Sequence, residues 1–193
     1  ATFFNHSYER NAFLFEDSPI YSTYFEDVVE AYKKWVSMAH EPYFIIMNQR
    51  SLSTKSPDFW RRMRYATCIS LLFDRMYVMY NYGSGGSPHW ASPWWFDEWS
   101  VDIGRPLGDA YKLPNGVYAR NFTNGIVLCN PTGRTQTVTA SDIGGRYYRF
   151  LGSQRPEWNN GMEFKSVVLN GSSLNGVYNK WMKPLGDGII LVK

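Results

Sequence analysis

The feature that most constrains what this chain can fold into is a change of periodicity between residues 83 and 116. Before it, short apolar runs alternate with helical patterns, the signature of β-strand, crossover helix and parallel β-strand. Thr2-Phe3-Phe4 reads as the end of a strand. From Tyr21 to Ala39, the residues Phe25, Val28, Val29, Tyr32 and Val36 make one helical stripe, and Glu41-Pro42 stops it. Tyr43 to Met47 follows as a buried strand. Ser56-Pro57-Asp58 predicts the next helix start, with Ser56 as cap, Pro57 at the first helical position and Asp58 near the positive end of the dipole. That helix should run to Phe73, and Met76 to Tyr80 is the third strand, leaving the sheet at Asn81-Tyr82-Gly83.

From Gly116 onward the chain breaks into short strands separated by Gly, Pro and Asn turns, as an antiparallel sandwich does. Gly116 to Phe122 and Ile126 to Cys129 flank Thr123-Asn124-Gly125, a hairpin turn of the Asn-Gly kind. Further strands are expected at Gln136 to Ala140, Arg146 to Phe150, Phe164 to Leu169 and Gly188 to Val192. Between the two textures lies a Gly-, Pro- and Trp-rich connection over residues 84–115, and loops of such length tend to be functional.

Composition narrows the ligand. Of 193 residues, 18% are aromatic, from 8 Trp, 14 Tyr and 12 Phe, and rings beyond the needs of a core commonly line concave binding surfaces. The net charge is only +3, with no basic run longer than Arg61-Arg62, which argues against a nucleic-acid groove. No stretch reaches the length of a membrane span. Cys68 and Cys129 lie far apart, so spacing decides no disulfide, and buried free thiols are the expectation. The chain opens on Ala1 with no signal peptide before it, which reads as a processed product or a fragment. Three sequons, at Asn5, Asn121 and Asn170, fit an extracellular or secretory-pathway protein.

The stretch Trp95-Phe96-Asp97-Glu98-Trp99-Ser100-Val101-Asp102-Ile103-Gly104-Arg105-Pro106-Leu107-Gly108, followed by Gly116 to Thr132, resembles a glycoside hydrolase family. In that family a TIM-type barrel ends in an Asp-x-Gly-x-Pro linker and a small sandwich bearing an Arg-x-Phe-x-Asn-Gly-x-Val-x-x-Asn-Pro hairpin. The runs Gly152 to Gly161 and Asp187 to Leu191 are also similar to its C-terminal pattern. The resemblance implies an α/β plus all-β chain: residues 1–94 as the C-terminal part of a (β/α) barrel, 95–115 as linker and 116–193 as an antiparallel β-sandwich. With only the last barrel strands present, another chain should complete or cover the open barrel. At the first strand end, where relatives read Gly-x-Phe-x-Asp-Asn, this chain has Ala1 to His6, so Asn5 stands where a carboxylate is expected.

Barrel enzymes work at the C-terminal ends of their strands. That rule selects Asn5, His6 and Glu9, then Asn48, Gln49 and Arg50, then Asn81 and Tyr82, then the tryptophan loop. Glycoside hydrolysis uses two carboxyl groups, and Glu9, Asp97 and Glu98 are the nearby acids, with Glu9 and Glu98 the catalytic candidates. Adjacent in sequence, Asp97 and Glu98 would point to opposite faces of an extended segment, and the structural alternative is a solvated or linker-packing role, for instance Asp97 or Asp102 bonding an arginine such as Arg105 or Arg120. Trp90, Trp94, Trp95 and Trp99 either stack on sugar rings or plug the interface between the two regions. His6, His40 and His89 lack metal-ligand spacing, so neither a metal nor a cofactor is implied. Three functions are expected in competition: a carbohydrate-active enzyme or fragment acting on a polysaccharide, an inactive relative that binds glycan or serves as a structural subunit, and an assembly subunit whose aromatic surface meets protein.

Overall fold

The computed structural model describes residues 12–16, 25–50, 58–81, 95–171 and 186–193. Strands β1 (Ala12–Glu16), β2 (Phe44–Arg50) and β3 (Met76–Asn81) form a three-stranded sheet in that order, with every pairing parallel. Parallel neighbours need a crossover, and helices α1 (Phe25–Val36) and α2 (Phe59–Leu72) lie between them in sequence. Helix α2 begins at Phe59, where an Arg61–Asp58 ion pair at 2.8 Å crosses the first turn. The expected cap residues Ser56 and Pro57, and the expected strand end at Thr2 to Phe4, lie outside the described residues.

The expectation of a partial (β/α) barrel is not met. The parallel sheet has three strands and closes on nothing among the described residues. Its buried positions, Ile45, Met47, Met76 and Tyr80, alternate with Phe44, Tyr77 and Met79, which are 44%, 60% and 42% exposed. A barrel would turn that second set into a packed interior. Helix α2 is not a member of an outer ring either, because it is buried almost continuously from Arg62 to Ser70 between the parallel sheet and a second, antiparallel one. The alternation of strand and helix patterns dictates parallel pairing and crossover, whereas closure depends on a long-range pairing of first and last strands that no local pattern encodes.

The second half also departs from a simple sandwich. It contributes β4 (Tyr111–Lys112), β5 (Tyr118–Asn121), β6 (Gly125–Asn130), β7 (Gln136–Thr139), α3 (Ala140–Ile143), β8 (Tyr148–Arg149), β9 (Ser166–Leu169) and β10 (Asp187–Val192). Five of these strands form an antiparallel sheet in the order β4-β5-β6-β10-β8, while β7 and β9 pair separately. Strands β6 and β10 are central and buried on both faces. Ile126, Leu128, Ile189 and Leu191 point into a core with Val138, Val167 and Leu169 of the two-stranded ribbon and with Phe164 just before its second strand. Val127, Cys129 and Ile190 point the other way, into a core with Ala66, Cys68 and Ile69 of α2. The central sheet is therefore covered by a ribbon on one side and a helix on the other.

The Asp-x-Gly-x-Pro segment is bound to the β5–β6 hairpin by backbone. Thr123 N–H donates to the Arg105 carbonyl at 2.9 Å, Asn124 N–H to that of Ile103 at 3.0 Å, and Leu107 N–H to that of Asn121 at 2.9 Å. Gly104 sits at φ +77°, and a Cβ there would lie 1.9 Å from the Thr123 hydroxyl oxygen, so this close approach requires glycine.

Candidate functional site

Among the described residues, chemistry-bearing side chains come together at a closed polar junction and in an open groove. At the junction, α2, the 3-10 turn Asp97–Ser100 and β10 converge. Arg64 of α2 donates to Asp187 Oδ1 from Nε at 3.2 Å and from Nη2 at 2.9 Å, with both side chains buried. The Arg64 guanidinium lies 4.0 Å from the centre of the Trp158 ring, and that of Arg149 lies 5.1 Å from it, two cation–π contacts on one indole. Glu98 is 6% exposed, and its Oε1 accepts a hydrogen bond from the Asn159 amide at 2.9 Å. The space between these groups leaves no room for a water molecule.

Burial pushes the Glu98 carboxyl above its ordinary value of 4.5, against the opposing pull of the Asn159 amide, a backbone hydrogen bond and Arg64. Burial likewise pushes Asp187 up, opposed by Arg64 and by the Gly188 N–H. A carboxyl with a raised folded-state pKa holds its proton more tightly in the folded protein than in the unfolded chain. Its contribution to stability is then present below the ordinary value and lost as pH rises through the raised one. Glu98→Gln keeps an oxygen for Asn159 and removes the buried charge. This variant is expected to unfold at a higher urea midpoint than the parent at pH 7, with the gain disappearing well below the ordinary 4.5. An unchanged midpoint difference across that range would contradict the assignment.

The neighbouring acid is also held internally. Asp97 Oδ2 accepts from the backbone N–H of Ser153 at 2.6 Å and of Gln154 at 2.8 Å. Asp102 accepts from the Gly104 N–H at 3.1 Å. Neither acid bonds Arg105 or Arg120, contrary to expectation. Arg120 instead pairs with Asp74 and donates to the carbonyls of Gly108 at 2.9 Å and Leu71 at 3.2 Å. Asp74 and Leu71 lie far from Arg120 in sequence, and no motif announced them.

The described rings of the tryptophan loop divide between core and surface. Phe96 is fully buried in a cluster with Phe59, Met63 and Tyr80, against which Trp60 and Trp99 pack. Trp99 donates its indole N–H to the Thr67 hydroxyl at 3.0 Å. Trp95 is 65% exposed, edge-on to Trp99 at 5.7 Å between ring centres, with its indole N–H donated to the Ser100 hydroxyl at 2.6 Å.

The groove, of about 410 Å³, opens between α1, the end of α2 and the β4–β5 region. That volume lies within the range of small-ligand sites, roughly 300–1,000 Å³. Tyr32, Phe73 and Tyr118 supply rings to its wall, with Phe25 edge-on to Tyr118 at 4.9 Å and Tyr32 tilted on Phe73 at 4.5 Å. Its charged groups balance, Lys33 and Arg120 against Asp74 and Asp109. The Tyr32 hydroxyl lies within hydrogen-bonding distance of both the Asp74 carbonyl and the Asp74 N–H. Burial pushes that phenol up to about 12, helped by Tyr43 and by the Asp74 charge, so it remains a donor through the physiological range.

Among the residues selected from sequence, Asn5, His6, Glu9, Tyr82, Trp90 and Trp94 lie outside the described residues. The parallel register brings the strand exits together, with Asn48 opposite Met79 and Arg50 opposite Asn81. The groove is elsewhere: Asp74 stands just before the start of β3, whereas Asn81 is at its exit. Neither Glu98 nor Trp95 lines it. Sequence reasoning followed strand exits and missed Asp74, Asp109 and Arg120, of which only Arg120 carried a signal, as part of the hairpin pattern. Among the described residues no group of three His, Cys, Asp or Glu side chains could hold a metal ion, and no helix is long and apolar enough to cross a membrane.

Fold and groove together define a layered α/β protein with a small groove walled partly by aromatic rings. Compared with family models, curated proteins and solved structures, the chain matches none, and nothing in those comparisons identifies a glycoside hydrolase family.

Proposed function

We propose that this chain binds a neutral glycan in the groove and does not hydrolyse it, as a non-catalytic relative of carbohydrate-active proteins. The observation that carries the reading is the groove's mixture of aromatic rings with charges that cancel. Rings offer apolar contact to the CH-bearing faces of sugars, while carboxylates and guanidinium groups accept from and donate to hydroxyls without selecting a charged ligand. The absence of hydrolysis is supported by Glu98, the described catalytic candidate, which is enclosed and bonded to Asn159. Asp97 beside it is likewise committed to backbone N–H groups. An extracellular or secretory setting agrees with the three sequons. The open face bearing Phe44, Tyr77 and Met79 suits a second chain, since parallel sheets are ordinarily covered on both faces.

Affinity electrophoresis of the full chain through gels containing soluble β-glucan, xylan, mannan or galactan tests the proposal. Retardation by at least one polysaccharide is expected, and Asp109→Ala should weaken it about tenfold, the equivalent of roughly 1.4 kcal/mol. Mobility unchanged in every gel would sink the glycan reading, and retardation indifferent to Asp109→Ala would remove the groove from it. Release of reducing ends that Glu98→Gln abolishes would overturn the non-catalytic half.

A further inference from the structure

We propose that Cys68 and Cys129 are the two halves of an intrachain disulfide site that fastens α2 to the central strand β6 under oxidising conditions. Both thiols are free and buried, and both belong to the same apolar core between helix and sheet. The link between them is Gly188. A Cβ built on that glycine would lie 2.6 Å from Cys68 Sγ and 2.7 Å from Cys68 Cβ, so the Cys68 side chain occupies the space a residue at 188 would otherwise fill. Gly188 is the direct antiparallel partner of Cys129. Directly opposed residues in such a pair project to the same face with Cβ positions about 4.5–5.5 Å apart.

Cys68 Cβ therefore lies within 2.7 Å of a point that is one cross-strand step from Cys129 Cβ. The separations this permits bracket the roughly 3.5–4.5 Å between Cβ atoms that a disulfide requires. The sequence conceals this neighbourhood, because one cysteine is helical, the other is in a strand, and the residue that joins their positions belongs to a third element. A disulfide here would cross the interface between helix and sheet, where α2 packs on β5, β6 and β10.

Burial raises both thiols well above their ordinary range, so exchange is slow and runs through brief openings of the helix on the sheet. The thiolate of one cysteine attacks the S–S bond of a small-molecule disulfide and expels one thiolate, leaving a mixed disulfide. The second cysteine, deprotonated in turn, attacks the protein-side sulfur and expels the other thiolate. The protein loses two protons and two electrons, and the small disulfide is reduced to two thiols.

The test incubates the folded full chain with oxidised glutathione at mildly alkaline pH, then quenches with acid for intact mass and non-reducing peptide mapping. The expected result is a monomer lighter by two hydrogens, a linked pair of peptides containing Cys68 and Cys129, and a Tm raised by about 10 °C that a thiol reductant reverses. Two thiols still open to alkylation after denaturation, glutathione retained on either cysteine as the end product, or a linkage only between chains would each overturn the proposal. Cys129→Ser serves as a second check: a Tm rise that persists in this variant would show that the stabilisation has another source, and would overturn the assignment even if the mass change were seen.

Discussion

Asp187→Ala is expected to lower the unfolding free energy by about 3–5 kcal/mol, read as a fall in the urea midpoint at unchanged slope. Asp187 has no exposed surface and receives two hydrogen bonds from Arg64, whose side chain is 9% exposed. Removing the carboxylate strands a guanidinium where little water reaches it, and that uncompensated charge, more than the lost attraction, sets the size of the effect. The prediction separates from a mere packing loss by its reversal. Arg64→Met combined with Asp187→Leu removes both charges and replaces them with apolar volume, and the pair should cost much less than Asp187→Ala alone. A double variant as unstable as the single one would show that the ion pair matters through shape or through the Trp158 contact at 4.0 Å instead.

Phe96→Ala is expected to cost a similar amount, about 3–5 kcal/mol by the same measurement. Phe96 is fully buried, and its ring stands 6.1, 5.7, 5.6 and 5.0 Å from those of Phe59, Trp60, Tyr80 and Trp99. Large rings in fixed positions around a deleted phenyl relax only partly, so a cavity remains. Trp95→Ala, one residue away, should stay within about 0.5 kcal/mol of the parent, because the ring is 65% exposed. If the two substitutions had equal effects, the division of this loop between core plug and open surface would be wrong.

The positions of most elements were legible from the residues. The stripe through Phe25, Tyr32 and Val36 became α1, the apolar runs at 43–47 and 76–80 became β2 and β3, and the hairpin between β5 and β6 lies where expected, although Thr123-Asn124 make its turn and Gly125 already begins β6. These are local consequences of side-chain period and turn chemistry. The candidate site was far less legible. Glu98 was selected because it is an acid in an aromatic loop, a description that fits a buried structural carboxyl as well as a catalytic one. The difference is made by Asn159, 61 positions away. Arg120 was noticed within its hairpin, but its ion-pair partner Asp74 is 46 positions away.

By itself, then, the sequence determined which segments extend, which coil, and that the first strands pair in parallel, because periods of two and of 3.6 residues and the need for a crossover act over short distances. Tertiary structure alone decided that, among the described residues, the parallel strands stay an open sheet, that α2 lies between two sheets, and that Arg64 meets Asp187 while Arg120 meets Asp74. Those outcomes depend on which apolar faces cover one another and on where buried charges find counter-charges, and such choices join residues that no local pattern connects.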